Sequence, residues 1–308
     1  LSAYDAVNQK GAILQGDSTV RSLQSQLRGM LNTPVVGTSG ALTTLSDVGV
    51  SFQKDGTLSL NQTKLDSVIA SNPNDIASLF AAVGKSTDSL VTYNNATSAT
   101  KPGNYEVNIT QIATRGETVG SGAITLPLDI VASTNDTLNL TVNGVAVSVT
   151  LAAGTYNTAQ DLATELQTKI NGVSALSSVG ISVIVSENAD TLTITSSNYG
   201  LTSSVSVTGG TAEADLGLNG DAPTAGVDVA GSIGGLTATG SGQFLSGTSG
   251  DAQGLGIIVT GGALGARGTL NYAHGYAYLL DQWATASRAS DGILTSRTEG
   301  IGRTITDS

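Results

Sequence analysis

The sequence predicts an α+β multidomain protein: a helical base domain with a small β-hairpin, carrying an inserted β-rich, sandwich-like outer domain that holds one short helix. Three observations lead there. Residues 18–31 set Val20, Leu23, Leu27, Met30 and Leu31 on one helical stripe. Residues 274–283 do the same near the other end with Tyr276, Leu279, Leu280 and Trp283. Between about Ser86 and Thr260 the apolar period changes to two. Two helical pieces that share a core on either side of a β-rich stretch behave as the host of an inserted domain, because insertion is tolerated where the host's ends lie close. The expected division is 1–95 with 261–308 as a discontinuous base, 100–210 as the inserted β-rich domain, and 211–260 as its Gly-rich second β segment.

Taken in order, Leu1 to about Lys10 reads as a helix stopped at Gly11, and Asp17 or Ser18 can cap the next one. That helix ends before Thr33-Pro34, since the residue before proline avoids the helical region. Val48, Val50 and Phe52 alternate, Asp55-Gly56 supplies a turn, and Leu58 and Leu60 alternate back, which reads as a hairpin. Asn61 caps a helix carrying Leu65, Val68 and Ile69; Asn72 with Pro73 at the first helical position opens another with Ile76, Leu79 and Phe80. From Ser86 to Pro102 the chain is polar and without periodicity, a linker.

Tyr105, Val107 and Ile109 then form a strand. Leu138, Leu140 and Val142 run into Asn143-Gly144, and Val145, Val147, Val149 and Leu151 run out, the strongest short-range hairpin signal. Thr158 caps a helix with Leu162, Leu166 and Ile170, Asp161 near the capping-box position and Gly172 past its end. Ile181, Val183 and Val185 pair with Leu192 and Ile194 across Glu187 to Asp190, and Val205 and Val207 add a strand. Gly209 to Gly250, rich in small residues, suggests short strands with long loops. Ile257 and Val259 give a strand, Thr269 to Tyr272 another, and the helical pattern resumes at His274. Beyond Asp291-Gly292, Leu294, Ile301 and Ile305 recur at i, i+7 and i+11, the spacing of a seam.

Composition narrows the chemistry. A formal net charge of −11 and only 13 Lys and Arg argue against nucleic acid as a partner, because neutralising phosphates needs clustered cations. No run approaches the ~20 apolar residues of a membrane helix, so membrane insertion is not expected. Zero cysteines removes disulfides and thiolate ligands, and such complete absence favours an exported protein. With no start methionine and no signal peptide at Leu1, the sequence reads as an internal fragment.

Apparent catalytic motifs fail on inspection. Gly84-Lys85-Ser86-Thr87 imitates the end of a phosphate-binding loop, but Leu79 stands where its first glycine belongs, so it reads as a helix end. Gly16-Asp17-Ser18-Thr19-Val20 misses the last position of a nucleophile elbow, and Ser18 reads as a helix cap. His274 is the only histidine, leaving zinc without a second imidazole and a catalytic triad without a choice of base. Asp136, Glu187, Asp190, Asp215, Asp221 and Asp228 match no calcium-loop spacing and read as a solvated acidic face. Asn108-Ile109-Thr110 and Asn139-Leu140-Thr141 lie in strands and read as ladder residues rather than glycosylation sites. Tyr272, Tyr276, Tyr278 and Trp283 are spaced around one helix as a core stripe, with an intersubunit contact as the other use of such aromatics. No cofactor, metal or catalytic residue is implied, and the chain is not expected to be an enzyme.

The run from Gly16 through Arg28, the Asp47-Val48-Gly49-Val50 and Asp55-Gly56-Thr57-Leu58-Ser59-Leu60 segments, and Ser71-Asn72-Pro73 leading into Leu79-Phe80 closely resemble the bacterial flagellar filament cap family, hook-associated protein 2. Val259-Thr260-Gly261-Gly262-Ala263 and Asp291 through Ile301 look like the closing helices of that family, and Asp136 to Thr208 is similar to its flagellin-type repeat. The resemblance fits a carboxy-terminal part. Shorter members pass almost directly from the Leu79-Phe80 helix to the closing helices, so residues 86–260 resemble an outer domain found in some members only. The family's coiled-coil ends have no counterpart in these residues.

What the resemblance implies is a structural, non-enzymatic subunit. It would be secreted to the flagellum tip, assemble there as a homo-oligomeric ring on the filament end, and promote flagellin folding and insertion. Tyr276, Trp283, Leu294, Ile301 and Ile305 are the expected subunit or filament contacts. The rival reading is a β-sandwich adhesin module binding host surface glycans or mucin, for which the Gly-, Ser- and Thr-rich loops are suited. A glycan-active enzyme ranks last, since Tyr105, Tyr156, Tyr199 and Phe244 offer little aromatic lining for a cleft with paired carboxylates.

Overall fold

The computed structural model describes residues 17–37, 42–53, 57–220 and 222–306; the helix expected over Leu1 to Lys10 and the Asp55-Gly56 turn lie outside these. The chain begins with α1 (Ser18–Asn32), a three-ten turn (Leu45–Val48), β1 (Val50–Phe52), β2 (Leu58–Leu60), α2 (Gln62–Ser71) and α3 (Pro73–Phe80). There follow β3 (Ala82–Ser86), β4 (Val91–Asn95), β5 (Gly103–Gln111), β6 (Arg115–Val119), β7 (Leu128–Ile130), β8 (Thr137–Val142), β9 (Val145–Thr150) and β10 (Gly154–Tyr156). Then come α4 (Ala159–Asn171), α5 (Ser174–Ser177), β11 (Val183–Asn188), β12 (Thr191–Tyr199), β13 (Val205–Gly209), β14 (Ala222–Thr224) and β15 (Ala230–Ile233). The last elements are β16 (Leu236–Ser241), β17 (Phe244–Gly247), β18 (Gly256–Val259), β19 (Gly265–His274), α6 (Tyr276–Arg288) and α7 (Ile293–Thr306).

Two compact units result, one of Leu1–Ser86, Lys101–Tyr105 and Leu270–Ser308, the other of Thr87–Thr100 and Glu106–Thr269. In the first, Asp17 caps α1 by accepting from the Thr19 and Val20 N–H groups at 2.8 and 3.1 Å. Ser18 is therefore the first helical residue and not the cap. Val48 belongs to the three-ten turn rather than to a strand, because Asp47 accepts the Thr43 and Thr44 N–H groups and winds the chain there. The hairpin starts two residues later, with Val50 opposite Leu60. Asn61 caps α2 through the Lys64 N–H as expected.

The core of this unit joins Leu31, Val35, Leu42, Leu45, Val48, Leu79, Ala273 and Tyr276, with Leu27, Met30, Leu279 and Leu280 against it. Thus the end of α1 and the start of α6, far apart in sequence, pack on one core. The Tyr276 hydroxyl donates to the Thr33 carbonyl at 2.8 Å, and the Trp283 indole donates to Gln26 at 3.2 Å.

Gly84-Lys85-Ser86 is strand, not helix end: Gly84 pairs with Tyr272 and Lys85 with Asn271, so β19 supplies the partner that makes a polar pentapeptide extended. Tyr272 consequently sits on β19, and only Tyr276, Tyr278 and Trp283 share a helix. The expected linker from Ser86 to Pro102 likewise holds the end of β3 and all of β4.

In the second unit, antiparallel strands run in the order β5-β15-β16-β17-β18-β4. Beside them are a four-stranded sheet β11-β12-β6-β14, a three-stranded sheet β13-β8-β9 and the pair β10-β7. The β8/β9 hairpin turns at Asn143 and Gly144, whose φ values of 50° and 83° are the left-handed pair this tight turn demands. Thr158 caps α4 by accepting the Asp161 N–H at 3.2 Å. Ala159, Leu162, Ala163, Leu166 and Ile170 of α4 are buried in a core shared with Leu138, Leu140, Val142, Leu192 and Ile194.

Edge protection of β11 is explicit. Asn171 exchanges two hydrogen bonds with the Val183 backbone, and Gln167 accepts the Val185 N–H at 2.9 Å. Side-chain amides from α4 thus occupy backbone groups that would otherwise recruit a foreign strand.

Candidate assembly surface

The surface of the first unit is where sequence places the contact residues, and the structure separates them by burial. Tyr276 is 1% exposed and its hydroxyl is engaged by Thr33, so it holds the core and presents nothing to a partner. Trp283 is half-buried and lines a cleft of ≈ 390 Å³ with Gln26, Ala286, Ala289, Gly292 and Ile293. Leu294 and Ile301 stand on α7 at 40% and 44% exposure, seven residues and hence two turns apart on one face. Ile305 falls within α7, but its side chain lies outside the described residues.

This helix is tied back to the start of α1. Arg297 donates to Asp17 at 2.9 Å, on the same carboxylate that caps α1. The Val20 N–H above all, with the Thr19 N–H and the Arg297 guanidinium, lowers the Asp17 carboxyl below its ordinary range. One carboxylate therefore serves the positive end of a helix and a cation from the far end of the sequence.

A second apolar feature escapes sequence reasoning. Leu31, Leu45, Val50, Leu58, Phe80 and Leu280 line a groove of ≈ 270 Å³. Leu58 at 52% and Phe80 at 38% exposure form its rim. The alternation of Leu58 and Leu60 is its only signal, and that pattern ordinarily marks a core-facing strand.

Residues weighed for chemistry are dispersed in structural roles. His274 Nε2 lies 3.0 Å from the Tyr272 hydroxyl, and its ring sits 3.9 Å from that of Tyr278, where burial lowers its pKa. Asp228 accepts the Leu201 and Gly242 N–H groups, Asp136 accepts that of Ser133, Asp215 takes the Asn135 amide, and Glu187 takes the Asp190 N–H. Asp221 lies outside the described residues. Among the described residues no three His, Asp or Glu side chains come together as a metal would need, and no helix is long and apolar enough to cross a membrane.

One unit of helices with a small hairpin and one β-rich unit define the class, an α+β multidomain protein. Residues 2–120 match the family described as flagellar hook-associated protein 2 C-terminus. Flagellar hook-associated protein 2 of Escherichia coli K12 is 32% identical over 84 residues, 27% of this chain and 18% of the relative. The A-type flagellar hook-associated protein 2 of Pseudomonas aeruginosa is 37% identical over 67 residues, 22% of this chain and 14% of the relative. The chain thus matches less than a fifth of these curated relatives' length. Among solved structures, the D2-D3 domains of the Escherichia coli flagellar cap protein FliD align with a TM-score of 0.43 and 17% identity, over 64% of this chain and 100% of that one. The cap protein FliD of Bdellovibrio bacteriovorus aligns at 0.39 and 13%, over 62% and 99%.

Proposed function

We propose that this chain is part of a structural, non-enzymatic subunit that caps the flagellar filament, acting extracellularly at the tip as a homo-oligomer and promoting flagellin folding and insertion. The observation that carries the reading is the hook-associated protein 2 match over residues 2–120. That match favours capping over glycan adhesion. The division of labour follows the two units: the one that holds α1, α6 and α7 serves assembly, and the β-rich one is an addition to it. The half-buried Trp283 and the exposed Leu294 and Ile301 are the side chains left to make subunit or filament contacts, since apolar groups that water still reaches are stabilised by a partner.

The test is motility of cells carrying Leu294→Glu with Ile301→Glu in the full-length protein. Both positions are exposed, so the fold should persist, while two carboxylates on one helix face oppose an apolar contact. Loss of motility and of self-association with an unchanged circular dichroism spectrum is the expected result. Full motility would remove these residues from the contact, and motility after deletion of residues 276–308 would remove the capping role itself.

A further inference from the structure

Three Asn-Gly pairs occur in the chain, Asn143-Gly144, Asn171-Gly172 and Asn219-Gly220. This dipeptide is chemically labile because a glycine N–H, unhindered by any side chain, can reach the preceding amide carbon. We propose that Asn219 is a site of spontaneous, water-driven conversion to aspartate and isoaspartate, and that the fold shields the other two pairs. In the first step the Gly220 nitrogen bonds to Asn219 Cγ, and ammonia leaves carrying the displaced proton, giving a five-membered succinimide. Water then adds at one of the two ring carbonyls. Cleavage of one C–N bond leaves an ordinary aspartate at this position, and cleavage of the other leaves isoaspartate, with a free carboxylate and a released proton in either case.

The two shielded pairs are held at different atoms. Asn171 has its oxygen on the Val183 N–H and its nitrogen on the Val183 carbonyl. Its would-be attacker is also occupied, since the Gly172 N–H is bound to the Thr168 carbonyl at 3.0 Å. Asn143 accepts the Ser204 N–H at 2.8 Å, and its side-chain nitrogen is fully buried, out of reach of the water that must receive ammonia. Asn219 is different on each count. Asn219 and Gly220 are both exposed, and among the described residues neither the Asn219 amide nor the Gly220 N–H has a hydrogen-bond partner. Only the Asn219 main-chain carbonyl is engaged, by the Ser121 hydroxyl at 2.7 Å.

The product matters because of where the pair sits. Isoaspartate inserts one extra carbon into the main chain shortly before β14, whose Ala222 pairs with Val119. It also moves the Ser121-bound carbonyl out of the main chain into a pendant carboxylate, so the Ser121 bond no longer fixes the backbone that leads into β14.

Ageing the full-length protein in mildly alkaline buffer, followed by digestion with a protease that cuts before aspartate, tests this. The peptide 215–220 should be replaced by a heavier, uncut isoaspartate form and by a form newly cut before residue 219. Asn143 and Asn171 should react at least about tenfold more slowly, the factor set by breaking one or two net hydrogen bonds first. Chemical denaturation should bring all three pairs to similar rates, and Asn219→Gln should abolish the 215–220 products alone. Unmodified Asn219 in the folded protein when the denatured control reacts, or Asn143 and Asn171 reacting as fast as Asn219, overturns the proposal.

Discussion

At the scale of single residues, one buried cation organises its surroundings. Arg267 is 6% exposed and donates to Asp88 at 2.6 Å and to the Gly261 and Ala263 carbonyls. Replacing it by alanine removes a charged partner from Asp88 and the guanidinium donor from the Gly261 and Ala263 carbonyls, so Arg267→Ala should cost about 2–3 kcal/mol in denaturant unfolding. The Arg267 hydrogen bond, followed by the Leu90 N–H, lowers the Asp88 pKa from 3.8. A carboxyl depressed in the folded state contributes stability above its unfolded pKa and loses it as pH falls through the folded one. The melting temperature of wild type should therefore exceed that of Asp88→Asn at neutral pH, with the gap closing below about pH 3.8. His274 works in a neighbouring window. Burial lowers its pKa from 6.5, so the unfolded chain takes up the proton first, and stability present above 6.5 falls as the solution is acidified towards the folded value. His274→Phe keeps a ring against Tyr278 and should flatten the pH dependence of melting below pH 6.5.

At the scale of elements, what sequence makes legible is whatever local pattern determines. Asn143-Gly144 between alternating valines and leucines can only turn, and Thr158 ahead of an amphipathic stripe can only cap, so β8, β9 and α4 stand where the residues place them. Strands made by distant partners leave no such mark. Ala82–Ser86 and Val91–Asn95 carry polar residues and no alternation, and they are extended because β19 and β18 lie alongside. Glycine misleads in the same way. The small-residue stretch from Gly209 to Gly250 looks like loop, yet a Cβ at Gly240 would stand 1.7 Å from the Val229 carbonyl, so glycine there is what lets β16 form beside a crowded main chain. The aromatic stripe divides on the same principle: spacing sets Tyr276 and Trp283 on α6 and reads both as core or contact, while packing buries the first and leaves the second half-buried. Where an element does carry its own edge device, removal should show. Gln167→Ala with Asn171→Ala frees two N–H groups and one carbonyl of β11, which should cost about 2–3 kcal/mol and raise light scattering on storage.

At the scale of the whole chain, the two units differ in how much apolar surface they bury. The cluster around α4 includes Leu138, Leu140, Val142, Leu162, Leu166, Ile170, Leu192 and Ile194, each fully removed from water. Among the described residues, the core of the terminal unit is smaller, and several of its members, Leu27, Met30, Leu279 and Leu280 among them, are only partly covered. Since each fully buried side chain contributes roughly 1.5–3 kcal/mol and partly covered ones less, opening the terminal unit should take less free energy than opening the β-rich one. Native-state hydrogen exchange should accordingly find amides of β8, β9, β12 and α4 protected longest, and those of α1, α2, α6 and α7 exchanging first through an opening that spares the β unit. The same hierarchy suits a subunit whose terminal helices complete their burial against a partner, for an element left partly covered is stabilised further by binding. Under conditions where the full-length protein self-associates, protection should rise in α6 and α7 by more than in α4. Equal protection throughout, or a β-rich unit that opens before the terminal helices, would contradict this ordering.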